Sequence, residues 1–145
     1  MNFQEFELMA PSIVKTLREL SKAVDDSGLE KTLTELLKIR VSQINGCAFC
    51  LQFHITLARK AGLESNKIDL VAVWRDVSIF SDRERAALAW AEALTQMNRV
   101  HVPGALQINL QKVFSTQEIA FLTSAIASIN AWNRIAGGLG FPPVI

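Results

Sequence analysis

Apolar residues recur every three or four positions along almost the whole chain, and no segment sustains a strict apolar–polar alternation. This spacing predicts amphipathic helices, because residues three and four positions apart share one face of an α-helix. Ser81 and Ser115 each precede a glutamate by three positions, a capping box typical of helix starts. We therefore expect an all-α fold, a bundle of six or seven helices. The predicted helices cover residues 10–24, 29–44, 47–61, 65–74 and 105–113, with two capped helices beginning at Ser81 and Ser115.

No linker, low-complexity segment or internal repeat divides the 145 residues, so we expect one domain over residues 1–145. Lys and Arg total 15 against 14 Asp and Glu, a net charge of +1, which argues against nucleic acid or a membrane surface as partner. Residues 1–8 contain no apolar run that resembles a secretory signal. The most apolar stretch, Ile119–Trp132, is too short to span a bilayer. We expect a cytoplasmic protein.

The chain has two cysteines, and they lie together as Cys47-Ala48-Phe49-Cys50. A pair this close cannot join distant segments, so the fold is not a disulfide scaffold. In a reducing compartment such a pair is redox-active, metal-binding or incidental.

His54 extends the cysteine pair to a motif on one helix face. Cys47, Cys50 and His54 stand at positions i, i+3 and i+7, which places them within about 60° of one another at about 100° per residue. A histidine beside a thiol can accept its proton, and the thiolate is the form that attacks peroxides and disulfides. A second cysteine one turn away can then resolve the oxidised sulfur as a disulfide.

Glu35 is a possible third member of this arrangement. If the helices before and after Asn45-Gly46 are antiparallel, Glu35 lies about 16 Å and His54 about 12 Å from the turn. Glu35 would then reach His54 and not the thiols. Spacing alone nevertheless favours a solvent-exposed Glu35, because it points away from the apolar stripe of its own helix, whereas Arg40 falls near that stripe and needs a buried partner or a path to solvent.

Three other chemistries use similar residues. Haem attachment needs histidine directly after the second cysteine, where this chain has Leu51. A closed zinc site needs four ligands, so it would depend on Glu35 joining the motif. A thioredoxin fold presents its cysteine pair after a strand, and no strand is predicted. A purely structural interpretation also remains open, in which the cysteines and His54 are buried without taking part in any chemistry. A packing role is likewise open for Trp74, Trp90 and Trp132.

The segment from Glu35 to His54 resembles the core of the alkylhydroperoxidase D (AhpD)-like branch of the carboxymuconolactone decarboxylase superfamily. The shared pattern is Glu, eleven residues, Cys-x-x-Cys, three residues and His. The similarity continues through residues 58–62, the region of Trp74, residues 84–89 and residues 130–134. It implies an all-helical fold with the cysteine pair at the start of a central helix, assembled into homotrimers or hexamers.

The resemblance also assigns roles. It implies thiol-dependent peroxidase activity without a cofactor, on a hydroperoxide substrate, with Cys50 as nucleophile, Cys47 as resolving cysteine, and Glu35 and His54 as proton relay. Elementary physics leaves the choice of nucleophile open, because the helix N-terminus favours a thiolate at Cys47 and His54 favours one at Cys50. An external thiol, a lipoylated protein in well-known members, would reduce the disulfide.

Phe49 departs from some members, which carry a histidine between the cysteines, so we expect altered proton delivery or donor docking. The decarboxylase branch lacks the cysteine pair, so lactone decarboxylation is not expected here. The alternative from another class is a non-enzymatic helical oligomer that uses the two cysteines and His54 as a redox sensor or zinc site.

Overall fold

The computed structural model describes residues 1–145 and contains helices and no strands, which confirms the all-α class. The α-helices are α1 (Phe3–Met9), α2 (Pro11–Asp25), α3 (Lys31–Asn45), α4 (Ala48–Lys60), α5 (Ser65–Leu70), α6 (Asp82–Thr95), α7 (Gly104–Gln111) and α8 (Thr116–Leu139). A 3₁₀ helix, Val71–Asp76, follows α5.

The structure has eight α-helices where six or seven were expected. The additional one is α1, which Asn2 caps by accepting from the Glu5 backbone N–H at 2.9 Å while its own N–H donates to the Glu5 side chain. The predicted helix over residues 65–74 is divided, because the backbone at Val73 (φ −118°, ψ 28°) is not helical. Both predicted capping boxes are formed, at Ser81 and Ser115.

Helix α3 is the centre of the bundle and contacts α4, α6 and α8. It joins α4 through Gly46, which adopts the left-handed conformation (φ 66°) that ends a helix and reverses the chain. Burial of large aliphatic side chains around α3 stabilises the fold by roughly 1.5–3 kcal/mol for each fully buried residue. The largest of them are Leu36, Leu37, Ile39, Leu88, Leu110, Leu122, Ile126 and Ile129.

A partly buried charge cluster joins α3, α6 and the 3₁₀ helix. Glu92 accepts hydrogen bonds from Arg40 Nε at 2.7 Å and Trp74 Nε1 at 2.9 Å, and it also pairs with Arg75. Burial alone would raise the pKa of Glu92, but these donors lower it below its ordinary value. Glu92 is thus the buried partner that the position of Arg40 required, and Trp74 has a packing role at this cluster.

No helix in the structure combines the length and the apolar character that a membrane span requires.

Candidate active site

The turn at Gly46 places both cysteines at the start of α4. Cys47 is the N-cap residue, and its Sγ accepts a hydrogen bond from the backbone N–H of Cys50 at 3.3 Å. The two residues are 4% and 3% exposed and are joined in a disulfide. The start of α4 therefore places the two sulfur atoms side by side and directs a backbone N–H at the sulfur of Cys47.

His54 lies one turn further along α4 and meets Glu35 across the α3–α4 pair. His54 Nδ1 is 2.7 Å from Glu35 Oε2. The antiparallel arrangement about Gly46 brings Glu35 level with His54, as helical rise predicted. The structure thus places Glu35, His54, Cys50 and Cys47 in one region of the molecule, with Glu35 in contact with His54 and Cys50 bonded to Cys47.

The expectation from spacing that Glu35 is solvent-exposed was wrong, because Glu35 is 0% exposed. An exposed polar face is expected of a helix that packs on one side only. Helix α3 has neighbours on several sides, and it buries polar residues such as Thr34, Lys38 and Ser42 as well as its apolar stripe. The periodicity of one helix could not predict this burial, because it does not show which helices cover Glu35.

Two lysines bind the other oxygen of Glu35. Oε1 accepts from Lys31 Nζ at 3.0 Å and from Lys38 Nζ at 3.1 Å. The Lys38 side chain is 8% exposed, and Lys31 also binds Asp25 at 2.9 Å. Neither lysine was predicted to join the site, although they stand four residues before and three after Glu35, the spacings at which helical side chains meet.

These contacts set the charges of the Glu35–His54 pair. Burial alone would raise the pKa of Glu35, but the hydrogen bond from His54 and the charge of Lys38 lower it to about 2. Burial lowers the pKa of His54, and although Glu35 opposes this, Lys38 and Lys31 add to the decrease. At pH 7 these directions favour an ionised carboxylate and a neutral imidazole. Because the carboxylate has no proton, Nδ1 donates to it and Nε2 keeps its lone pair.

Cys50 and His54 line a cavity of about 340 Å³, whereas Cys47 lies outside its lining. Four aromatic side chains form much of the wall: Phe3, Phe49, Phe53 and Trp132. A small molecule in this cavity would lie beside Cys50 and His54. Of the three tryptophans, Trp132 is the one at the cavity.

Helix α1 supplies part of this wall. The ring of Phe3 stacks on Phe49 with centroids 6.1 Å apart and lies 6.1 Å from Trp132. Phe49 also contacts Phe53 and Phe141. At the position between the cysteines, this chain therefore presents an aromatic ring packed against other rings.

The structure does not assemble the ligands that a zinc site would need. Both oxygens of Glu35 bind His54 and the two lysines, and the cysteine sulfurs are bonded to each other. No group of three or more His, Cys, Asp or Glu side chains is arranged to hold a metal ion.

The chain is similar to known proteins over nearly its whole length. It matches the carboxymuconolactone decarboxylase family over residues 11–93. The uncharacterized protein YdfG of Bacillus subtilis is 35% identical over 132 residues, which cover 91% of this chain and 90% of YdfG.

Solved structures are also similar. A protein of unknown function from Agrobacterium tumefaciens, described as a candidate antioxidant defence protein AhpD, has a TM-score of 0.92 and 37% identity. The match covers 97% of this chain and 96% of that protein. An uncharacterized peroxidase-related protein from Ralstonia eutropha, described as an AhpD core, has a TM-score of 0.83 and 22% identity, over 96% of this chain and 74% of its own. The latter likeness shows the fold alone.

Proposed function

The chain belongs to the carboxymuconolactone decarboxylase family, as an AhpD-like member, and from that premise we propose that it is a thiol-dependent peroxidase. Its substrate would be a hydroperoxide, with Cys50 as nucleophile, Cys47 as resolving cysteine, and Glu35 and His54 as proton relay. No cofactor is required, because the cysteine pair itself carries the two electrons.

One observation carries this proposal: Cys50 and His54 line the same cavity. Glu35 binds His54, and Cys47 is bonded to Cys50. A nucleophile, its base and the group that orients the base are thus in sequence, the arrangement that activates thiols and hydroxyls in other enzymes. The two cysteines also differ in their access to the cavity, since Cys50 lines it and Cys47 does not.

In the first step, Nε2 of His54 accepts the proton of the Cys50 thiol in the reduced protein. The thiolate attacks the distal oxygen of the hydroperoxide, the O–O bond breaks, and the alkoxide leaves as an alcohol with the proton from His54. Cys50 is oxidised to a sulfenic acid, and the hydroperoxide is reduced by two electrons.

In the second step, the Cys47 thiol loses its proton and its sulfur attacks the Cys50 sulfur, so that the S–O bond of the sulfenic acid breaks. The hydroxide that leaves takes up the proton lost by Cys47 and departs as water. The backbone N–H of Cys50, which lies 3.3 Å from Cys47 Sγ, supports negative charge on this sulfur. The product is the Cys47–Cys50 disulfide, the bond present in the structure.

In the third step, an external dithiol reduces the disulfide. Its thiolate attacks Cys50, the sulfur that lines the cavity, and Cys47 leaves as a thiolate. The helix N-terminus that stabilises this thiolate also makes it a good leaving group. A second thiol of the donor then releases Cys50, so the donor is oxidised to a disulfide. A lipoylated protein is the class of donor that the family resemblance favours.

Cysteine variants test the assignment. We expect Cys50→Ser to abolish turnover of cumene hydroperoxide with dihydrolipoamide as donor. We expect Cys47→Ser to permit one oxidation per chain, leaving a sulfenic acid at Cys50 that dimedone traps and mass spectrometry locates. The matched pair separates the two roles, because both variants remove one thiol from the same turn.

Two results would contradict the assignment. Cys50→Ser could consume peroxide at the wild-type rate, which would place the chemistry elsewhere. Cys47→Ser could instead lose all reaction with peroxide while Cys50→Ser retains it, which would reverse the roles. Unreactive thiols in a protein purified with one zinc per chain would support the non-enzymatic alternative.

A further inference from the structure

Lys38 is a buried lysine that the reaction above does not use. Its side chain is 8% exposed, and its carboxylate partner is Glu35, at 3.1 Å. Lysine is among the residues least often buried, because removing an ammonium group from water costs several kcal/mol unless the charge is paired. Lys38 also lines the cavity that holds Cys50 and His54. Its burial, its pairing with Glu35 and its place at the cavity together indicate that Lys38 has a role at this site.

The two oxygens of the Glu35 carboxylate have different partners. Both ammonium groups bind Oε1, at 3.1 and 3.0 Å, and His54 alone binds Oε2. A carboxylate held in this way cannot rotate without losing two ionic hydrogen bonds. The second oxygen is thereby fixed on His54 Nδ1.

We propose that Lys38, assisted by Lys31, is a positioning residue that holds Glu35 so that His54 stays neutral with Nε2 free. Without the lysines, a buried carboxylate 2.7 Å from an imidazole would favour a protonated histidine. Two positive charges on the far oxygen offset the negative field of the carboxylate at the imidazole. They also repel a second proton on His54, as their lowering of its pKa indicates.

The other charges near His54 do not replace the two lysines. From α2, Asp25 binds Lys31, while Arg18 pairs with Glu7 and Lys22 with Asp26. From α4, Cys50 is in the disulfide. Helices α1 and α8 contribute only uncharged side chains to the cavity. Lys38 and Lys31 are therefore the cations that bind the partner of His54 directly.

The inference rests on the proposed function, since a neutral His54 matters because it accepts the Cys50 proton. A protonated His54 could not do so, and the acid limb of the pH–rate profile would report its titration. Removing the charge of Lys38 should move that limb to higher pH. A lysine with a structural role alone would lower activity at every pH without moving the limb.

Nitrogen-15 NMR of the histidine side chains tests the proposal in the oxidised protein, without peroxide. The chain has two histidines, so a His101→Gln background leaves one signal set, that of His54. At pH 7 we expect Nδ1 protonated and Nε2 unprotonated. We expect Lys38→Met to raise the midpoint of the titration by about one pH unit, as expected for loss of a charge at this range.

Three variants control for structural effects. Lys38→Arg restores the charge and should return the midpoint to that of the wild type. Lys31→Met should raise it by a smaller amount, because the Lys31 side chain is 41% exposed and solvent screens its charge; it also serves as the test if Lys38→Met does not fold. Lys22→Met removes a lysine that does not contact Glu35 and should leave the midpoint unchanged.

A midpoint unchanged in both Lys38→Met and Lys31→Met would overturn the proposal, as would an equal rise in Lys38→Met and Lys38→Arg. A raised midpoint in a protein without peroxidase activity would support the lysine role and refute only the proposed function. The experiment therefore distinguishes a failure of the proposed role of Lys38 from a failure of the proposed peroxidase function.

Discussion

For Glu35, the sequence predicted the neighbouring residue but not the burial. Its distance along the chain from His54 predicted that the two side chains are level, and the 2.7 Å contact is there. Its burial could not be predicted from the pattern of one helix, because burial depends on which helices cover it. The two lysines on Oε1 were missed for a related reason: a lysine near a glutamate on a helix is usually a solvent-exposed pair, worth a few tenths of a kcal/mol.

At the same scale, the Glu35–His54 pair makes stability depend on pH. The pKa of each group is lower in the folded protein than its ordinary value. The unfolded chain therefore binds more protons as the pH falls, and protonation favours unfolding. The stability is fully present above about pH 6.5, the unfolded value for histidine. It is lost as the pH falls, through His54 first and through Glu35 from about pH 4.5 toward its folded pKa of about 2.

We therefore expect the free energy of unfolding to decrease between pH 7 and pH 5, by at most about 1.4 kcal/mol per pH unit for one proton. Urea denaturation of the oxidised protein at several pH values measures it. His101→Gln removes the exposed histidine and should keep the slope, whereas His54→Gln should reduce it. A stability that is constant over this range, or an equal slope in His54→Gln, would contradict the charge assignment.

At the scale of elements, the pair α3–α4 was predictable and α1 was not. Asn45-Gly46 ends the apolar periodicity of α3, and Gly46 adopts the left-handed conformation that such a signal predicts. Residues 3–9 carry a capping box but bury no residue completely. Helix α1 is held by contacts of Phe3 and Phe6 with aromatic rings from α4, α8 and the C-terminal segment, as at Phe141. Such contacts between distant segments leave no local pattern.

The Gly46 turn yields a prediction with a matched control. Alanine at Gly46 would have to adopt φ 66°, so we expect Gly46→Ala to destabilise the protein by about 1 kcal/mol. Gly137 lies in α8 with helical backbone, so Gly137→Ala should stabilise it by about 0.5 kcal/mol. Apart from the adjacent residues and the local helix backbone, no atom lies within 4 Å of a Cβ added at either position, so clashes with other parts of the protein do not contribute to the difference.

Urea denaturation of both variants measures the difference, which should appear as a change in midpoint at constant slope. Equal effects of the two substitutions would show that the left-handed conformation at Gly46 does not constrain the turn.

At the scale of the whole molecule, the cavity could not be predicted from the sequence. Its lining comes from α1, α2, α3, α4 and α8, with Phe3 and Trp132 far apart in the chain and adjacent in space. Helical periodicity predicted the class of fold, and the family resemblance proposed roles for four residues, but neither gives the shape of a space between five helices. The single domain and the trimer or hexamer stay predictions.

Cys50 is proposed to reduce hydroperoxides, and Cys47 to resolve the oxidised Cys50 as a disulfide. The most direct test is a single turnover: the fully reduced protein is mixed with one equivalent of cumene hydroperoxide, and thiols, alcohol product and protein mass are measured together. We predict the loss of two thiols per chain, one equivalent of cumyl alcohol, and a mass lower by two hydrogens from a Cys47–Cys50 disulfide. Two thiols still present and peroxide still intact would contradict the account.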